Sequence, residues 1–286
     1  SAQRRIRAVF WVSPIHSRFK AHRVFASRIA GKTVKTTPYG FFNRIKPALS
    51  QKTRGRKMIE TLKLLLRRNK TTKGLYVKLS KLKRGKNRRN LQKYKVKITR
   101  AIFDMLDGSE FKYFYASGSL LGLVRDKGFM THDDDIDLGI VINSSIEFKR
   151  IPEIFKEHGF KLLHYYTVDG EIAEYAFHYK NTGVGIDVFG YYKDHDKLHA
   201  YYLYQNATGQ YTNKLDRTVS VFVYDGIDSF KYVNYCGVKL CIPEHADKIL
   251  FSNYGPNWRI KDTGYDVKTA PGHMVTNKRG RQVNVE

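Results

Sequence analysis

Residues 113–141 read YFYASGSLLGLVRDKGFMTHDDDIDLGIV, and the fold is decided inside this stretch. The apolar run 111–116 predicts a strand, residues 119–124 a short helix with Ser119 near its start, and residues 136–142 a second strand. Three chemical features lie between and beside these elements. Gly118-Ser119 sits where a strand turns into a helix. A small residue and a hydroxyl there leave backbone N–H groups free to cradle a phosphate, and the helix dipole favours an anion. Arg125 and Lys127 follow in a glycine-flanked loop, ready to meet phosphate oxygens. Asp133-Asp134-Asp135-Ile136-Asp137 then runs into the apolar strand.

Side chains two apart on a strand share a face, so Asp133, Asp135 and Asp137 can converge while Asp134 and Ile136 turn away. Three carboxylates so close repel one another, which raises their pKa values unless a cation sits among them. Hard divalent ions with oxygen ligands, Mg²⁺ or Mn²⁺, resolve that conflict, and two of them can clamp the attacking and leaving oxygens of a phosphoryl displacement. An acidic run is often only a solvated turn. Here the adjoining apolar strand and the upstream Gly-Ser turn argue against that reading.

Further out, short apolar runs separated by turns predict strands at 160–166, 172–179 and 184–191, the last continuous enough to be central. Weaker strands are expected near 200–204, 218–223 and 238–242. Ser144-Ser145 should cap a helix reaching His158, and Pro243-Glu244 should open a helix to Tyr254, with Pro at a permitted first-turn position. The tail after Ala270 is polar and reads as loose. Strands mixed with flanking helices indicate an α/β or α+β domain.

Upstream the texture changes. Residues 1–100 hold 31 Lys and Arg against a single acid, Glu60, whereas residues 101–286 hold 21 against 25 acids, so the net charge of +26 belongs to the N-terminal side. Such a segment seeks a polyanion or an anionic surface. Residues 1–55 show no clean period. Residues 56–69 have helical spacing, with Met58, Leu62 and Leu65 or Leu66 on one face, as in a helix lying on an anionic membrane or docked on the domain. The basic run 79–90 reads as a linker or exposed helix start, and a helix from Leu91 to Leu106 should bury Tyr94, Ile98, Ile102 and Met105 before stopping at Asp107-Gly108-Ser109. The division expected is a basic arm, 1–90, and a catalytic domain, 91–286. No apolar run approaches the ~18 residues of a membrane span. Two cysteines, Cys236 and Cys241, make no disulfide framework and read as reduced thiols. The histidines show no zinc spacing, and most tyrosines between 165 and 235 should be strand packing, with a few rings available to line a sugar groove.

The acidic segment resembles the LicD family, which includes the fukutin-type proteins. Gly118-Ser119, Leu120-Leu121-Gly122, Arg125, Lys127-Gly128 and Asp133–Asp137 match its pattern in order, and the likeness extends over roughly residues 95–275. Ile186-Asp187-Val188-Phe189 looks like the family's later strand, so the resemblance adds Asp187 to the metal and catalytic carboxylates. The sequence departs from the pattern at Met130-Thr131-His132, where the family has an apolar residue, Pro and Trp. His132 either takes over a stacking or phosphate contact or is an ordinary loop residue. The resemblance implies a nucleotidyltransferase-like mixed sheet. It also implies transfer of a phosphate-linked group from a CDP-activated donor to a hydroxyl of a glycan or lipid-linked glycan. The low cysteine count and the missing apolar anchor favour a cytoplasmic enzyme, peripheral at the inner face of a bacterial membrane, over a luminal eukaryotic relative with a removed anchor. Two other readings stand beside it: a nucleotidyltransferase acting on RNA or a small hydroxylated substrate, which suits the basic arm, and a non-catalytic polyanion binder. The ordered motif match disfavours nucleic acid, and the intact carboxylates disfavour the third reading.

Overall fold

The computed structural model describes residues 70–143, 145–205, 215–262 and 264–285. The expected arm 1–55 and the helix 56–69 lie outside them. The first described element is α1, Lys70–Leu106, one helix of 37 residues. The basic run therefore does not form a linker, and the expected boundary at residue 90 falls inside this helix. The segment has no proline and is rich in Lys, Arg and Leu, all good helix formers, so propensity carries the helix past the domain surface. Leu91, Ile98 and Ile102 on its inner stripe are fully buried, with Met105 and Leu106 nearly so. Gly108, at φ 74°, ends it in the left-handed conformation, and the Ser109 N–H and hydroxyl both donate to the Leu106 carbonyl.

β1 (Tyr113–Tyr115) leads into the short helix α2 (Ser117–Leu121), a π-helical turn at Gly122–Asp126, and β2 (Asp135–Ile142). Two short helices follow, α3 (Ser145–Phe148) and α4 (Ile151–Glu157), where the spacing predicted one. Pro152 lacks an N–H and fits only a first helical turn, so it forces a fresh start. Then come β3 (Phe160–Val168), β4 (Glu171–Tyr179), β5 (Gly185–Asp194), β6 (Lys197–Gln205) and β7 (Asp216–Asp225). A hairpin of β8 (Phe230–Tyr235) and β9 (Val238–Pro243) turns at Cys236-Gly237, both at positive φ as a type I′ turn requires. Cys236 is exposed, Cys241 is buried, and both are free thiols. Pro243 ends β9 instead of opening a helix, because its missing N–H is harmless at a strand terminus. The following helix, α5, spans Ala246–Tyr254.

β10 (His273–Val275) and β11 (Gly280–Asn284) occupy the tail that its polar composition marked as loose. Their backbones are fixed by strand edges that need partners. β11 pairs with β3 on one side and with the start of β7 on the other, and β10 pairs with β7. The sheet among the described residues has nine strands, and only β2 and β5 run parallel along their shared length. One edge of β5 divides, its first half pairing with β4 and its second with β6. Following the pairs from β5 through β4, β3, β11, β7 and β6 returns to β5, so six strands close a ring. The architecture is thus a mixed α/β domain rich in strands and poor in helices, more closed than a flat sheet with helices on its flanks. Gly139 on β2 allows the Phe114 and Tyr191 rings to meet edge to face at 4.8 Å, since a Cβ there would lie 2.5 Å from Phe114.

Candidate active site

The parallel register of β2 and β5 sets Asp137 directly beside Asp187 and Asp135 beside Gly185. Strand alternation then places Asp135, Asp137 and Asp187 on one face. β4 continues that face, because Ala176 pairs with Asp187 and Glu174 lies two residues along. Glu174 is buried, and no reading of the motifs found it. Its signal was a lone charge inside the apolar run Ile172–Phe177. Burial, then the charges of Asp137 and Asp135, push its carboxyl up to about 8. Burial likewise raises Asp135 to about 6, helped by Asp134 and Asp133, against a small opposing pull from Arg84 on α1. Asp137 and Asp187 are raised well above the usual carboxylate range, by burial first and by their acidic neighbours next. Two unit charges on adjacent strands, ~5 Å apart in an effective dielectric of ~20, repel by about 3 kcal/mol. The four side chains cannot all be ionised without a compensating cation.

The Gly-Ser turn is stitched to this face. The Asp137 N–H donates to the Ser119 hydroxyl at 2.9 Å, the Ser119 N–H approaches Asp137 Oδ2 at 3.4 Å, and the Ala116 N–H donates to the Asp137 carbonyl. Ser119 thus straps the turn to Asp137, and it is almost fully buried. Gly118 leaves a notch beside the acids: a Cβ there would lie 3.4 Å from Asp137 Oδ2 and 3.9 Å from Asp133 Oδ1. Ser117, before it, takes a positive φ of 43°, and its hydroxyl is 3.0 Å from that of Tyr202. Tyr202 stacks on Phe189, and the charges of Asp137 and Asp133 act on Tyr254 at the end of α5. Ser117 and Tyr202 were not singled out in the sequence, since Ser117 precedes the Gly-Ser pair and Tyr202 is one of many tyrosines here.

The remaining residues are placed as follows. Arg125 forks onto Asp126 at 3.0 and 3.2 Å and contacts Met130 sulfur, and its charge reaches Asp133. Lys127 is exposed, with its ammonium on the Val124 carbonyl and not at the carboxylates. His132 is two-thirds exposed, with Nε2 4.0 Å from Asp133 Oδ1. Asp133 Oδ2 is buried without a hydrogen-bond partner. An all-oxygen donor set, an orphaned carboxylate oxygen and the notch at Gly118 fit a hard divalent cation. Among the described residues, however, no three His, Cys, Asp or Glu side chains already converge closely enough to hold one. A separate cavity of about 730 Å³ between the β7–β8 loop and α5 is lined by Trp258, Phe251 and Arg259 and by none of these carboxylates.

A strand-borne carboxylate cluster is thus strapped to a Gly-Ser turn. Residues 110–245 match the family model described as LicD/FKTN/FKRP, nucleotidyltransferase domain. That segment belongs to the LicD family. Mouse ribitol-5-phosphate transferase FKTN is 27% identical over 177 residues, covering 58% of this chain and 33% of its own length, and the human protein of that name is 25% identical over 175. An uncharacterized protein of Rickettsia typhi is 33% identical over 97 residues, 33% of this chain and 28% of its own. The chain therefore spans about a third of the length of these relatives.

Proposed function

We propose that this chain is a divalent-cation-dependent phosphotransferase that moves a phosphate-linked group, phosphocholine or a polyol phosphate, from a CDP-activated donor to a hydroxyl of a cell-surface glycan. The observation that carries this reading is the in-register pair Asp137–Asp187, with Asp135 and Glu174 on the same face, inside a LicD-family segment. The relatives named as ribitol-5-phosphate transferases support a polyol phosphate as the group moved. On this reading the core is nucleotidyltransferase-like. Asp133, Asp135, Asp137 and Asp187 hold Mg²⁺ or Mn²⁺, and Gly118, Ser119, Arg125, Lys127 and His132 line the donor side. The bound cation supplies Lewis-acid stabilisation of phosphate oxygens.

The acceptor oxygen bonds to the phosphorus bearing the alcohol group, the phosphoanhydride bond to CMP breaks, and the hydroxyl proton passes to a carboxylate. Asp187, or one member of the cluster, takes that proton. A carboxylate at the cation sits within reach of the attacking oxygen, which suits it to that role. No described helix is long and apolar enough to cross a membrane, and the basic N-terminal side supports peripheral work at the inner face of a bacterial membrane. The test is thermal shift with Mn²⁺ or Mg²⁺ across CDP-choline, CDP-glycerol, CDP-ribitol, UTP, ATP and a short RNA. Stabilisation by one CDP compound, lost in Asp135→Asn, supports the reading and names the donor. Stabilisation by ATP, UTP or RNA alone replaces it with a nucleotidyltransferase.

A further inference from the structure

The stripe of α1 that faces the domain does not end where the core ends. Ser80, Arg84, Asn87, Leu91, Ile98 and Ile102 follow helical spacing along one side. Leu91, Ile98 and Ile102 are fully buried, Ser80 and Asn87 are half-buried, and Arg84 is exposed on the same side. Two side chains pin the helix beside the carboxylates. Asn90 donates to the Thr182 carbonyl at 2.6 Å, in the turn leading to Gly185, and Gln92 donates to the Met130 carbonyl at 3.2 Å, just before Asp133. Arg84 lies six residues further back, ~9 Å along the axis at 1.5 Å per residue. The row Asp135, Gly185 and His178 crosses β2, β5 and β4. Arg84 acts electrostatically on one end of it and Lys83 on the other.

Around this point the helix carries Lys78, Lys81, Lys83, Arg84, Lys86, Arg88 and Arg89, all exposed. Among the described residues none of the seven forms an ion pair with a carboxylate. Like charges three and four apart destabilise a helix, so this array calls for a counterion of its own. It extends ~16 Å along the axis, longer than the two phosphates of a nucleotide donor can cover. Its cations also go most of the way round the helix, and among the described side chains here only Leu82 is a large exposed apolar group. A helix lying on a membrane would instead present one broad apolar face.

We propose that Lys78–Arg89 of α1 is the docking surface for a flexible, phosphate-bearing acceptor polymer, which Arg84 guides to the carboxylates. This assignment of the acceptor rests on the transferase reading above; the binding surface itself does not need turnover to be tested. The experiment is lysine acetylation of the full chain, read by mass spectrometry, with and without linear inorganic polyphosphate. Lys81, Lys83 and Lys86 should be protected several-fold at low salt, the protection fading by about 0.5 M salt, while Lys239 on β9 and Lys248 on α5 react unchanged. Arg84→Glu with Arg88→Glu should abolish the protection while the circular dichroism stays that of the parent. Equal acetylation at the three lysines with and without polyphosphate overturns the proposal. So does protection by phosphatidylserine vesicles but not by polyphosphate, which would assign the helix to a membrane. Failure of every CDP compound in the thermal-shift panel would sink the transferase reading and leave this footprint standing.

Discussion

Gly118→Ala should make the protein more stable and less active at once. The added methyl would lie 3.4 Å from Asp137 Oδ2, 3.8 Å from Met130 Cε and 3.9 Å from Asp133 Oδ1, all ordinary contacts, so nothing has to move. Gly118 sits inside α2, where alanine is favoured over glycine by about 0.5–1 kcal/mol, largely through the unfolded chain. For a domain of roughly 200 residues that raises Tm by about 1–4 °C. The same methyl fills the space between two carboxylates whose oxygens would bind a cation at ~2.1 Å with its remaining waters around it. A tenfold loss of Mn²⁺ affinity, about 1.4 kcal/mol, is the least expected. Scanning fluorimetry reads both effects: the variant should melt higher without metal, and Mn²⁺ should raise it less than it raises the parent. An Mn²⁺ shift equal to the parent's would refute the placement of the cation at this notch.

Other expectations follow from the same face. Asp135 and Glu174 have folded-state pKa values of about 6 and about 8, above their unfolded values, so the folded protein binds more protons in between. Without metal, stability should be fully present near pH 4 and fall as pH rises towards 8, and Mn²⁺ should stabilise more at pH 8 than at pH 5.5; a flat profile of Tm against pH would contradict this. Glu174→Gln removes one buried charge from the group and should raise the metal-free Tm while weakening Mn²⁺ binding, with an unchanged metal response as the failing result. Asp187→Asn should lower turnover by at least ~100-fold if it is the base, and near-normal turnover with metal still bound would move that role to another carboxylate. Gly139→Ala forces a methyl against Phe114 and Tyr191 and should cost about 1–3 kcal/mol in urea unfolding; a loss under half of that would mean β2 shifts easily.

The placement of the Asp run was the most legible part of the sequence. The run and the Gly-Ser turn are local patterns, and strand alternation puts Asp135 and Asp137 on one face, whereas Asp187 was read from the family resemblance and the register of β2 against β5 brings it beside Asp137. What could not be read were features decided by distant partners. Glu174 sits in an ordinary-looking strand, and only the register of β4 against β5 brings it to Asp187. The strands at 273–275 and 280–284 carry polar sequences because what fixes them is a neighbour's unpaired backbone and not a buried stripe of their own. The basic run 79–90 read as either a linker or an exposed helix start because charge was weighed above propensity, although lysine and arginine are good helix formers, and it lies within α1. Pro243 shows the same limit. It was read as a helix-start signal, and only the surrounding pairing says that this proline ends a strand.

β11 is a keystone laid late. Its partner in β3 is far away in the chain, the Thr167 hydroxyl reaching the Arg281 carbonyl across 114 residues. A nascent chain that has emerged only as far as β7 holds an open sheet, with β3 and β7 each presenting unpaired backbone to solvent. Such edges recruit other strands, including those of sibling chains, and contacts this distant form slowly. Refolding from urea should therefore lose yield steeply as protein concentration rises, and an added synthetic peptide covering residues 278–285 should recover part of it by capping the gap until the chain's own strand arrives.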